Sequence, residues 1–495
     1  MKFAILVVIA AGCAGRANPA AAPESALPDF AAARWVPARP AYVLASHSLV
    51  DAQRAARDAI ELFAAVTGYD VRDAMQTSSA LFGVDVLHAD PLAAIGVDVR
   101  GGWALFGDDV NPTLVVHLAA PAQMAAFLDH QRDRGLVTRS VVVDRVELVT
   151  AAIPIGVTLS WAIDGEWMWV HLTLSGTSDD ARWFTASHAG HAGGWTGHWA
   201  WAQRAANAAA GVVGFLDLHG VHTAITGAAA RLPDAVACAR LVEPIGRVAL
   251  AVSGDEHHAA ARVALDVGST ERLRAMLLPP PSGWDAAAAG APIAAQWNLD
   301  LAAARPALAP CLALVGAPVA LLDETGVRAA RGVLVAFDPD AWSGSGAVAL
   351  DVTGPAYFER QLDRIPLRRR LESDRTFGPY RGHAIDIPFG VTIEYVLDRQ
   401  RAMLAIGEGL LARMVAPPRG PVTVPPIAAI DLAPPAMPAN AWQAVIDGLV
   451  ARGRDRSSGT MARRIVEHLM AWRDGHLAVR AEGSEIVVTA SGNRR

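Results

Sequence analysis

"IPIGVTLSWAID" at 153–164 returns as "IPFGVTIEYVLD" at 387–398, with Ile, Pro, Gly, Val, Thr and Asp in the same places. Pro154 answers to Pro388 and Gly156 to Gly390, an offset of 234 residues. The offset holds upstream: "VVHLAAPAQMAAFLDH" at 115–130 lies over "ALDVTGPAYFERQLDR" at 349–364, setting Pro121 over Pro355, Ala122 over Ala356, Leu128 over Leu362 and Asp129 over Asp363. Both stretches share one physical grammar. An apolar strand ends and Pro takes the first helical position, where its missing N–H costs nothing. A helix with apolar spacing follows. Pro and Gly then punctuate the entry to an alternating strand, "VTLSWAI" or "VTIEYVL". Asp164-Gly165 supplies a tight hairpin turn in the first copy, and Asp398-Arg399-Gln400 a weaker one in the second.

Fainter echoes extend the pattern in the same order. "RPAYVLASHSLVDAQRAARDAIELF" resembles "APIAAQWNLDLAAARPALAPCLAL", "GFLDLHG" resembles "AAIDLAP", and the hairpins at 246–265 and 475–492 resemble each other. The expected fold class is α+β: two tandem copies of one α+β unit, with mostly antiparallel sheets and helices on one face. The expected boundaries are 40–277 and 292–495, joined by a linker at 278–291 that contains "LLPPPSGW" in part. Two related halves are expected to leave a groove or buried seam between them.

The chain opens "MKFAILVVIAAGCAGR": one charge at Lys2, a short apolar run, then small residues before Cys13. This is the grammar of a secretory signal over 1–12 with cleavage just before a cysteine, too short to span a bilayer. It resembles a bacterial lipoprotein signal, although Ala10 stands where Leu is usual. The Ala/Pro-rich segment over 13–39 then reads as a tether from the lipidated Cys13. Lipidation would make the membrane the first partner. By the same resemblance, Ala14 in place of Asp favours the outer membrane, facing the periplasm.

Composition removes several classes of function. The net charge of −6 and the absence of a basic run argue against a nucleic-acid partner. Lys2 is the only lysine, so a mature chain has no P-loop lysine, no Schiff-base lysine and no Ser-x-x-Lys dyad. Mean hydropathy of +0.26 comes largely from alanine, and the most apolar late segment, 306–322, is broken by Pro310, Gly316 and Pro318. Of three cysteines, Cys238 and Cys311 remain in an oxidising compartment. They read either as a disulfide or as two separately buried thiols.

The copies differ most after their shared hairpin, where the first carries about 20 extra residues, including "SHAGHAGGWTGHWAW" at 187–201. Seven of the 14 tryptophans fall between Trp161 and Trp201. His188, His191 and His198 lie among them, and His219 and His222 follow. Those histidines, with Asp217, are the candidate ligands if zinc or copper is bound. No His-Glu-x-x-His or Cys-x-x-Cys framework accompanies them, and the reading carried forward has no cofactor. Trp195, Trp199 and Trp201 are the candidate ligand-binding residues, because indole offers a broad apolar face with one polar N–H. The plainest alternative is that these tryptophans fill a gap between packed elements.

The strand–helix openings, the Gly-Val-Thr hairpin and the leader together resemble the bacterial envelope proteins grouped as domain of unknown function family 3352. That resemblance spans most of the mature chain and implies neither an activity nor catalytic residues. The expected function is a non-catalytic cell-envelope lipoprotein, a duplicated α+β scaffold that binds a ligand or protein partner, an apolar ligand or an envelope protein, through the groove between the halves and the His/Trp-rich loop. A periplasmic carrier of a lipid-like molecule and a metal-dependent hydrolase are the alternatives.

Overall fold

The computed structural model describes residues 30–37, 39–54, 76, 79–80, 83–85, 88–107, 111–133, 137–153, 157–173, 180–189, 201–202, 211–218, 243–306, 324–341, 343–365, 368–388, 390–417, 424–450 and 457–495. Contacts divide the chain into two compact units. The first comprises Ala17–Val221 with Gly246–Leu265, and the second is built mainly from Asp266–Arg495.

The first unit carries β1 (Tyr42–Ser46), β2 (Trp103–Gly107), β3 (Thr113–His117), β4 (Thr138–Val143), β5 (Val146–Ile153), β6 (Val157–Asp164), β7 (Trp167–Thr173), β8 (Val212–Asp217), β9 (Arg247–Gly254) and β10 (His258–Asp266). In space they run β4-β5-β6-β7-β3-β2-β1-β8-β9-β10, antiparallel from β4 to β9. The second unit carries β11 (Ile293–Trp297), β12 (Val327–Asp338), β13 (Ser343–Val352), β14 (Glu372–Phe377), β15 (Tyr380–Ile387), β16 (Val391–Leu397), β17 (Arg401–Ile406), β18 (Ala428–Leu432), β19 (Trp472–Glu482) and β20 (Glu485–Arg494). They run β14-β15-β16-β17-β13-β12-β11-β18-β19-β20, antiparallel throughout. The strand orders coincide, and the sequence offset carries β4 onto β14 and β5 onto β15 residue for residue.

Register makes the correspondence finer. Across the first sheet Ala162, Trp169, Val115, Ala104, Ala45, Val213 and Ala251 stand side by side. Across the second sheet the same path meets Val396, Met403, Ala349, Arg331, Gln296, Ala429 and Ala478. Partners opposite one another in an antiparallel ladder share a face. All of these residues except Gln296 are buried.

Helices cover both faces of each sheet, where the sequence reading expects them on one. In the second unit, helices Trp284–Ala288 and Leu410–Met414 pack on the face of Ala294, Val333, Val396 and Met403. Helices Ala439–Val450 and Ser457–Met470 pack on the opposite face, against Ile293 and Leu334. Helix Ala356–Leu362 meets that same opposite face at Ile385 and Tyr395. In the first unit, helix Pro121–Asp133 lies over Val149, Trp161 and Met168. On the other side, the 3-10 segment Ala31–Trp35 and helix Asp180–His188 bring Trp35 and Phe184 against Trp169. The physical reason is visible in "VTLSWAI". Leu159, Trp161 and Ile163 mark an apolar face, so Ser160 and Ala162 read as the solvent side. They are 0% and 1% exposed, because small side chains let covering segments approach the strand closely.

The segment 278–291, expected as a linker, contributes Trp284 and Ala287 to the second unit's core. Among the described residues no helix is long and apolar enough to cross a membrane.

Candidate functional site

The β6–β7 hairpin turns at Gly165, which takes φ +58, and Glu166, between paired Asp164 and Trp167. This tight turn fixes a cluster at the sheet end. His117, the last residue of β3, places Nδ1 2.9 Å from Asp98 and Nε2 3.4 Å from Glu166, with its ring edge-on to Trp167 at 5.0 Å. His188 closes helix Asp180–His188. Its Nε2 lies 2.9 Å from Asp164, and its ring stacks on Phe184 at 4.9 Å and approaches Trp169 at 5.2 Å. The 3-10 segment lays Trp35 4.9 Å from Trp169, and Arg34 sits over both Trp35 and Trp167. The indole N–H groups of Trp35 and Trp169 are buried without a hydrogen-bond partner among the described residues. The aromatic faces here are spent on one another.

The β16–β17 hairpin presents the corresponding corner of the second unit. Asp398 Oδ1 accepts the N–H of Gln400 at 2.8 Å, and the Asp398 N–H donates to the carbonyl of Arg401 at 2.9 Å. By the 234-residue offset Asp398, Arg399, Gln400 and Arg401 stand where the first unit has Asp164, Gly165, Glu166 and Trp167, and Asp351 stands where it has His117. By register Arg331 stands at the position of Ala104. Where the first corner is largely aromatic, this one is built of arginine and aspartate, and it borders an opening. A cleft of about 640 Å³ is lined by Leu278, Pro279, Arg328, Asp351, Tyr380 and the turn 398–401.

Beside the cleft, Arg331 is 1% exposed. Its Nε donates to Asn298 Oδ1 at 2.8 Å, Nη1 to Asp351, and Nη2 to the carbonyl of Leu278 at 2.9 Å. Burial works against its charge, and Asp351 works the other way. Arg401 approaches the second Asp351 oxygen at 3.4 Å and donates to the Tyr380 hydroxyl at 2.5 Å. Arg328 pairs with Asp300 through Nε and Nη2. Burial pushes the Asp300 carboxyl up. The Arg328 guanidinium and the N–H groups of Ala303 and Ala302 outweigh that and hold it below its ordinary value.

Of the residues singled out from sequence, His188 belongs to the aromatic cluster. Trp201 is 8% exposed with the Arg247 guanidinium 4.9 Å over its ring. Cys13, Cys238, Cys311, Trp195, Trp199, His191, His198, His219 and His222 lie outside the described residues. Among the described residues no group of three or more His, Cys, Asp or Glu side chains is arranged to hold a metal ion. Sequence reading missed Arg328, Arg331, Asp351, Tyr380 and Arg401. The available signal was "VRAARGVLVAF", in which an arginine occupies an inward position of an otherwise apolar strand.

No family model matches the chain, so the resemblance to family 3352 has no match behind it. No curated protein matches it either. Among solved structures, crystal form III of TP0453 is similar at 9% identity and a TM-score of 0.29, over 50% of this chain and 82% of that one. Crystal form IV of TP0453 gives 8% identity and a TM-score of 0.28, over 50% and 83%. Likeness at that level carries no argument about this chain.

Proposed function

We propose that this chain is an exported, lipid-anchored, non-catalytic binding scaffold of the bacterial cell envelope, made of two tandem copies of one α+β unit. In this reading the second unit's cleft takes the ligand. The coincident strand orders, the shared register path and the constant offset through the middle of both units support duplication. The leader ending at Cys13 supports export and lipidation.

One observation carries the binding role. At matching positions of the two sheets, one unit packs Ala104, His117 and Trp167, whereas the other buries Arg331 with Asp351 and sets the half-buried Arg401 beside them at a cleft. A buried ion pair is seldom more stabilising than well-packed apolar residues. Ala104 of the first unit fills the position of Arg331 without a buried charge, so in this reading the buried arginine is retained for what its corner can bind.

The test is a ligand screen by protein-observed NMR on the full chain and on a variant whose cleft is filled by Gln400→Trp. Compounds that perturb the wild type and not the variant support the reading. A screen without hits, or hits indifferent to the substitution, refutes it. Lipidation is checked separately by labelled-palmitate incorporation, which Cys13→Ser should abolish.

A further inference from the structure

We infer that the cleft beside Arg331 binds a small anion through carboxylate or phosphate oxygens. The inference rests on the reading of that cleft as a ligand site and adds its chemistry. It follows from a count of donors and acceptors at the wall. Arg328 spends Nε and Nη2 on Asp300, and Arg401 spends Nε on Asp351 and Nη1 on Tyr380. Nη1 of Arg328, Nη2 of Arg401 and the whole Arg399 guanidinium have no partner among the described residues. Most of the acceptors are already engaged: both Asp351 oxygens face arginines, and Asp398 Oδ1 holds the Gln400 N–H, which leaves Asp398 Oδ2 and the Gln400 amide oxygen against a larger number of guanidinium N–H groups. Guanidinium donors are therefore in surplus, and a guanidinium cannot also accept.

Charge points the same way. Arg328, Arg331, Arg399 and Arg401 face Asp300, Asp351 and Asp398, so the corner carries one more cation than anion in a chain whose net charge is −6. A planar fork of N–H donors suits carboxylate and phosphate oxygens best, and the volume lies within the usual range for small-molecule sites. Leu278 and Pro279 give the same cleft an apolar wall, so the ligand is an anionic group on a compact organic body or on a lipid headgroup.

The test uses the full chain carrying Cys13→Ser, so that an acyl chain does not itself bind vesicles. Titration calorimetry with inorganic phosphate and with citrate, at matched ionic strength, should show saturable binding. Arg399→Glu, at an exposed turn, should weaken it about tenfold or more, and Arg328→Gln should weaken it in the same direction. Circular dichroism melts establish that both variants fold. Cosedimentation with phosphatidylglycerol vesicles, compared with phosphatidylcholine, separates a lipid headgroup from a free anion; loss of either interaction in Arg399→Glu supports the inference. No saturable binding of phosphate, citrate or anionic vesicles, or binding that ignores both substitutions, overturns it. Saturable binding of maltose alone, abolished by Gln400→Trp, would overturn the anion chemistry while leaving the cleft as a ligand site.

Discussion

Replacing Arg331 by alanine puts at that position the residue that the first unit carries at Ala104. The substitution removes three hydrogen bonds, to Asn298, Asp351 and the Leu278 carbonyl. It leaves Asp351, 8% exposed, with the 3.4 Å approach of Arg401 and the more distant charge of Arg328 to balance it. Breaking a buried pair from one side costs about 3–5 kcal/mol, chiefly because a charge stays buried without its partner. That is a large share of the roughly 5–15 kcal/mol that holds an ordinary domain folded. At a urea m-value of about 2–3 kcal/mol/M, the second unit's midpoint should fall by about 1–2.5 M. Hydrogen-exchange mass spectrometry on β12 and β13 peptides locates the loss in that unit. The double variant Arg331→Ala/Asp351→Ala should recover part of the stability, because it removes the stranded carboxylate as well. A single-variant cost below about 1 kcal/mol, or a double variant as unstable as the summed singles, would refute the view of this pair as a coupled buried charge.

Glu394 is 6% exposed and accepts the N–H groups of Gly409 at 3.0 Å and Leu411 at 3.2 Å, capping helix Leu410–Met414. Glu394→Ala should cost about 1–2 kcal/mol, read as a lowered Tm, and an unchanged Tm would refute the capping role. The Tyr395 hydroxyl donates to Glu372 and accepts from Arg368 at 2.8 Å, and burial followed by the bond to Glu372 pushes its ionisation up to about 12. A pKa raised above the unfolded value near 10 gives stability that is full below pH 10 and lost as pH climbs toward 12. The urea midpoint should fall over that window, and Tyr395→Phe should flatten the fall. Burial raises the Glu372 carboxyl, but Tyr395 and Arg368 together hold it below its ordinary value. Its contribution is therefore present above about pH 4.5 and lost as pH falls further, and an acid limb unchanged in Glu372→Gln would contradict this.

The middle of each unit was legible because its strands have strong punctuation. Pro121 and Pro355 mark helix entries, and Gly165 marks one hairpin turn, so β4 to β7 and β14 to β17 follow the constant offset. The first strand of each unit was less legible. Laid proline over proline, the stretches opening at 39 and 291 set Ala45 over Trp297, whereas register sets Ala45 over Gln296. A one-residue slip exchanges the faces of a strand, and "AYVLAS" and "IAAQW" are too evenly apolar to fix the register by themselves. The cleft was illegible for another reason. Its groups come from 278–279, 328–331, 351, 380 and 398–401, which share no spacing that a motif could capture. Their convergence exists only once β12, β13 and β17 are neighbours.

The contrast between the matched corners also bears on which residues need one another. Arg331 is tolerable in a buried row because Asn298, Asp351 and Leu278 each engage one of its three nitrogens. Arg401 then finds one oxygen of Asp351 already engaged and turns its remaining nitrogens toward Tyr380 and the cleft. The buried arginine therefore fixes the carboxylate, the carboxylate orients the half-buried arginine, and that arginine shapes the wall. In the first unit Ala104 makes no such demand, so the sheet end is free to fill with Trp35, Trp167 and Trp169. The inward arginine and the aspartate and arginine that answer it thus separate an aromatic corner from one with an oriented, positively charged wall, and the difference passes through contacts rather than through any change of strand order.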